Sequence, residues 1–145
     1  TQHILKVYAL AKLLGEQENL SLEAQQILRA AAILHDIAIK YCKERYNGDA
    51  SQERQKLEAP GLVRRFLLQA NYSPTLIPQI TELVEKHHDY SSPRNQTLQI
   101  LMEADLIINC YETCPDSKKI AEIEAVFETP FGKELLALYI QGAKN

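Results

Sequence analysis

Apolar residues recur along this chain at steps of three and four, the spacing of one buried face of a helix. Ile4, Leu5, Tyr8, Ala11 and Leu14 mark a first helix, and Gly15 reads as its stop. Ser21 is the expected N-cap of a second helix, whose stripe is Leu22, Ile27, Leu28, Ile33, Leu34 and Ile37. Tyr41 to Gln52 is polar, with Asn47-Gly48-Asp49 as the turn signal. A third helix is predicted from about Gln55 to Asn71, or from Glu58, because Pro60 is unfavourable inside a helix. Ser73-Pro74 opens a fourth helix that reaches about His87, and Ser91-Ser92-Pro93 breaks the pattern after it. Thr97 to about Glu112 is strongly apolar, Cys114-Pro115-Asp116 is a turn, and Ser117–Phe127 and Pro130–Gln141 close the chain as two helices, the second capped by Thr129. No stretch alternates with period two. The pattern predicts an all-α fold of six to eight helices.

Composition narrows the setting. The chain has 145 residues, 46% of them hydrophobic, the size of one domain spanning 1–145 around one core. The net charge is -3 with acids and bases interspersed, so neither a nucleic-acid polymer nor an acidic tail is expected. The apolar runs fall short of the ~18 residues that a membrane span needs, and no signal-peptide pattern opens the chain. Three cysteines, Cys42, Cys110 and Cys114, form no framework. Reduced thiols and a cytoplasmic setting are expected, with Cys110 and Cys114 as packing residues.

Chemistry is expected where the pattern wants an apolar residue and the chain supplies a polar one. Four places qualify: His3 at the start of the first helix, His35-Asp36 in "AAILHDIAIK", His87-His88 at the end of the fourth helix, and Asp105 in "ILMEADLIIN". Each alone has an ordinary explanation. A terminal histidine can lie at a frayed end, a histidine pair suits a helix C-terminus, and Asp36 can pair with Lys40 four residues on. Together they are harder to dismiss, because all 4 histidines of the chain fall in these places. Burying an unpaired imidazole or carboxylate costs several kcal/mol. One divalent cation offsets that cost for all of them at once. Mixed nitrogen and oxygen donors suit Mn, Fe, Zn, Ni or Co, and Mg remains in the set; calcium, which takes oxygen ligands, does not fit.

The order His, His-Asp, Asp on successive helices resembles the HD-domain superfamily of metal-dependent phosphohydrolases. The carrying motifs are "TQHILKVYALAKLLG", "AAILHDIAIK", "VEKHHDY" and "LMEADLIIN". The chain looks most similar to a group of small bacterial HD hydrolases. There "EGP" opens the middle helix, "HHxY" ends the next and "EAD" carries the last ligand. Here these are Glu58-Ala59-Pro60, His87-His88-Asp89-Tyr90 and Glu103-Ala104-Asp105. The resemblance implies His3, His35, Asp36 and Asp105 as metal ligands, with His87 and His88 for a second ion or for the substrate phosphate. The histidine that often opens the middle helix is absent; Gln55, Lys56 and Glu58 stand near its place. One tightly held ion is therefore expected. Glu58 is a candidate to orient a ligand histidine from behind. Lys40 sits one place later than the usual lysine after HD, which turns it by about 100° on a helix.

The implied reaction is hydrolysis of a phosphate ester or anhydride in a small metabolite or nucleotide. A divalent ion lowers the pKa of a water and polarises a phosphoryl oxygen. Asp36 is expected to hold the ion and orient the attacking water. Lys40, with Lys86, Arg64 and Arg65 as weaker candidates, would neutralise phosphate, and a protonated His87 or His88 would act as general acid. Two alternatives stand beside this reading: a non-catalytic metal- or nucleotide-binding module, and a diiron oxygenase, which needs a full two-metal ligand set. The substrate, the native metal and the oligomeric state are not written in the pattern.

Overall fold

In the computed structural model, residues 2–91 and 93–144 are described. They form α1 (Gln2–Gln17), α2 (Leu22–Leu34), α3 (Ile37–Arg45), α4 (Gln52–Gln69), α5 (Ile77–Lys86), α6 (Gln96–Thr113), α7 (Ser117–Glu124) and α8 (Pro130–Ala143), with no strand among the described residues. The chain is all-α, as its periodicity predicts. Helix starts follow local chemistry. Ser21, Ser51, Asn95, Asp116 and Thr129 each accept a backbone N–H from three residues ahead, filling a donor that the first turn leaves open.

Several boundaries differ from the periodic reading. Gly15 does not end α1; it lies buried inside it, where an added Cβ would stand 3.0 Å from the Leu28 side chain. It is a close-approach glycine between α1 and α2, and the left-handed Asn19 (φ 56°) turns the chain instead. The single second helix is two, broken at His35-Asp36. Leu22 and Ile33, read as part of its buried stripe, are 83% and 41% exposed. Tyr41 to Arg45 is helical, and the turn comes at Asn47 and Gly48, both at positive φ. α4 begins at Gln52, where the Ser51 side chain caps it, and Pro60 remains inside the helix. Ser73 caps nothing through its side chain; its hydroxyl meets that of Thr75, and a short 3-10 turn, Pro74–Leu76, precedes α5. The break at Ser91-Ser92-Pro93 falls partly on Ser92, outside the described residues. α7 stops at Glu124. Cys42 and Cys110 are buried, but Cys114 is exposed and left-handed (φ 48°), ending α6 rather than packing.

α6 is the axis of the molecule. Every residue from Leu98 to Ile107 is buried, the mark of a helix covered all round. α1 runs antiparallel to it: His3 meets Asp105 and Glu112 near one end, while the Glu18 carbonyl accepts from Gln96 at the other. α2 packs on α1, α5 and α6, and α4 bridges α3 and α5. A second apolar cluster joins Leu106, Ile107 and Cys110 to Ile123, Phe127, Leu136 and Tyr139, and so seats α7 and α8 on the outer side of α6. The fully buried Glu103 locks that junction. It accepts from Gln99 Nε2, from the backbone N–H groups of Glu128 and Thr129, and from the Thr129 hydroxyl. No helix among the described residues is long and apolar enough to cross a membrane.

Candidate metal centre

The break between α2 and α3 builds the centre. His35 is the last residue of the α2 turn, and Asp36 (φ -110°, ψ 19°) leaves helical geometry and stands at the N-cap of α3. An aspartate there ordinarily accepts a backbone N–H of the first turn, worth about 1 kcal/mol. Asp36 makes no such bond. Its carboxylate turns to the imidazoles instead.

His35 and His87 use one device on two helices. Each sits at the C-cap, of α2 and α5 respectively, and each sends Nδ1–H to the carbonyl three residues back: Ala32 at 2.6 Å and Val84 at 2.6 Å. A carbonyl only accepts, so Nδ1 carries the proton in both rings. The bond also occupies a carbonyl that the helix end would leave open. In the neutral ring Nε2 is then a lone pair, and both Nε2 atoms point inward. His3 reaches the same place from the start of α1, and Asp105 from the middle of α6.

Distances show the convergence. His35 Nε2 lies 3.3 Å from His3 Nε2, 3.3 Å from Asp36 Oδ2 and 3.4 Å from Asp105 Oδ1. His3 Nε2 is 3.1 Å from Asp105 Oδ1 and 3.7 Å from Asp36 Oδ2. On the other side, His87 Nε2 is 3.6 Å from Asp36 Oδ1, and His88 Nδ1 is 3.9 Å from Asp105 Oδ2. The His35 and His87 rings stand 5.2 Å apart, and those of His87 and His88 3.9 Å. Two trios have donor atoms within 4.8 Å of one another: His3, His35 and Asp36, and Asp36, His87 and His88. Asp36 belongs to both, with Oδ2 toward the first and Oδ1 toward the second. All four histidines and both aspartates singled out in the sequence thus gather in one cluster, as two groups that share Asp36, with Asp105 beside them.

The donor set fits a cation on three grounds. Most of the facing atoms are acceptors, which repel unless something positive lies between them. Two buried atoms, His87 Nε2 and Asp105 Oδ2, have no hydrogen-bond partner, an uncommon and costly state for a native interior. The titration behaviour points the same way. Burial alone would depress His35, yet the Asp105 and Asp36 carboxylates outweigh it and carry its pKa up to about 10. Burial would raise Asp36 and Asp105, yet His35 and His87 hold the first below the usual carboxylate range, and His3 and His35 do the same for the second. Without metal, protons are the cations of this site. His88 differs: burial and the neighbouring His87 push it below the ordinary histidine value, which disfavours its protonated form.

The remaining candidates lie elsewhere. Lys40 is exposed on α3, with no hydrogen bond or ion pair to the cluster among the described residues. Arg64 and Arg65 are exposed on α4, and Lys86 pairs with Glu82 at 3.0 Å. Glu58 accepts from the Tyr46 hydroxyl at 2.7 Å and holds no histidine. Gln55 and Lys56, near the place of the absent middle histidine, line a cavity of about 20 Å³ beside His35 and His87, room for about one water. Glu112 was not singled out by pattern: its carboxylate lies 2.7 Å from His3 Nδ1. The available signal is its spacing from Asp105, seven residues or two helical turns along the same face.

The HD-domain family model matches residues 1–110, which run from α1 through most of α6 and contain every residue of both trios. No curated protein and no solved structure matches the chain. By fold, by the His-Asp break between α2 and α3 and by that match, the chain belongs to the HD-domain family.

Proposed function

We propose that this chain is a metal-dependent phosphohydrolase acting on a small phosphorylated metabolite or nucleotide. The observation that carries this reading is the pair of ligand trios sharing Asp36, with two buried, unpartnered acceptor atoms aimed into them. A divalent ion bound there supplies a positive charge for a phosphoryl oxygen and lowers the pKa of a nearby water. The chain's own residues do the rest. His3, His35, Asp36 and Asp105 hold the first position, and the Ala32 carbonyl fixes the His35 ring so that Nε2 faces inward. Asp36, 20% exposed, is the carboxylate to which we assign both holding the ion and orienting the attacking water. His87 and His88 face the second position. His88, with a side chain 34% exposed, opens that side toward an incoming phosphate. The apolar walls of α2, α5 and α6 keep bulk water from the buried side and strengthen the local electrostatics.

The second trio also bears on how many ions bind. The missing middle-helix histidine argues for one, whereas Asp36, His87 and His88 are grouped closely enough for another. A binding module without turnover remains the alternative, favoured by the exposure of Lys40, Arg64 and Arg65, none of which makes a hydrogen bond or ion pair to the cluster among the described residues. The deciding experiment is metal analysis of protein purified without chelators, followed by a screen of phosphate esters and anhydrides with each first-row divalent ion and Mg. Metal content should be stoichiometric and fall by more than tenfold in His35→Ala and Asp105→Ala. Phosphate release should depend on the added ion. Full metal content in both variants would refute the site, and stoichiometric metal without release from any substrate would favour the binding module.

A further inference from the structure

His35 and His87 have their tautomers set by backbone carbonyls, Ala32 and Val84. Among the described residues, His3 Nδ1 meets no backbone carbonyl. What stands behind it is Glu112. The His3 ring is gripped by two carboxylates of one helix: Nε2 is 3.1 Å from Asp105 Oδ1, and Nδ1 is 2.7 Å from Glu112 Oε1. Asp105 and Glu112 are seven residues apart, two turns of α6. α1 therefore begins on a helix face that presents a carboxylate to each nitrogen of the same ring. Asp105 is buried and belongs to the cluster, whereas Glu112 is 32% exposed and, among the described residues, touches the cluster only through His3.

We propose that Glu112 is the positioning residue of His3. It accepts the Nδ1–H bond, fixes the tautomer that leaves Nε2 for the metal, and pins the start of α1 to the end of α6. This rests on the metal-binding reading above, but its physical content, the orientation of His3, stands apart from it. A carboxylate behind a ligating histidine holds the ring and raises its basicity, and losing such a partner typically weakens metal binding roughly 10–100-fold. Glu112 is in no other hydrogen bond or ion pair among the described residues.

The test uses the intact chain with Zn²⁺ as the probe, competed against a chelating dye, together with ¹⁵N spectra of the imidazoles. With only 4 histidines, each ring can be assigned by single His→Gln variants. In wild type, His3 should show a protonated Nδ1 and a metal-bound Nε2. Glu112→Ala should weaken Zn²⁺ binding roughly 10–100-fold, and Glu112→Gln, which keeps a neutral acceptor, should fall between. In both variants the His3 signals should shift or average while those of His35 and His87 keep their protonated Nδ1. Unchanged affinity with an unchanged His3 spectrum would overturn the proposal. So would equal disturbance of all three rings, which would mark a general loosening. If wild type takes up no Zn²⁺, the functional reading fails, and metal-free spectra still decide this one: His3 Nδ1 keeps its proton in wild type and loses that preference in Glu112→Ala, or the proposal is wrong.

Discussion

At the scale of single residues, the proposed metal would compete with protons for the same nitrogens. His35 is the clearest case, with Nδ1 committed to Ala32 and Nε2 surrounded by Asp36 and Asp105. Its folded pKa of about 10 lies above the ordinary value of 6.5. The proton it gains therefore stabilises the metal-free fold fully below about pH 6.5, and that stabilisation is lost as pH rises toward 10. Asp36 and Asp105 are held low, so their contribution is present above the ordinary carboxylate value of about 4 and lost as pH falls further. The metal-free protein should thus be most stable between about pH 4 and 6.5. Metal binding must expel the His35 proton, so affinity should rise about tenfold per pH unit between about 7 and 9 for each proton released. Competition titrations in this range check it, and calorimetry in buffers of different ionisation heat counts the protons. A flat profile would mean that His35 is not displaced by metal.

At the scale of elements, the legibility of the sequence divides by mechanism. Helix existence followed from period and caps: Ser21, Thr129 and the Cys114-Pro115-Asp116 turn stand where the pattern placed them. The break at His35-Asp36 did not, because an apolar run shows no stop signal; it is made by a side chain that declines its cap and turns inward. Gly15 misleads for a related reason, since a glycine needed for close approach looks the same in sequence as one that ends a helix. The convergence of His3, His35, Asp36, His87, His88 and Asp105 was legible because polar residues in apolar stripes stand out. Lys40 and Glu58 were not placed, because a side chain's reach depends on which way each helix is turned. Glu103 shows the same limit in a structural role. Three of its four accepted hydrogen bonds tie α6 to the start of α8, and an added Cβ at Gly132 would overlap Glu103 Oε1 outright. Gly132→Ala should therefore destabilise the protein by about 1–3 kcal/mol, although alanine is the better helix former. Denaturant unfolding measures it, and a neutral result would show that α8 can lift without loss.

At the scale of the whole molecule, the centre is where the chain's distant parts meet. α1 supplies His3, the α2–α3 break His35 and Asp36, the end of α5 His87 and His88, and α6 Asp105. These span most of the sequence, and an ion held among them would cross-link four segments of the chain. The unfolded chain has no such preformed site, so metal affinity becomes folding stability. At free metal near 100 times the dissociation constant, the gain is about 2.7 kcal/mol. For a chain of 145 residues that corresponds to a rise in Tm of roughly 9 °C. Thermal unfolding with graded Zn²⁺ or Mn²⁺ should show this rise, and chelator should reverse it. The increment should shrink in His35→Ala and Asp105→Ala but persist in Lys40→Ala, whose side chain lies in solvent. A shift of equal size in all three variants would place the ion elsewhere on the molecule, because a site built from α1, α2, α5 and α6 cannot lose its central ligands and keep its hold on the fold.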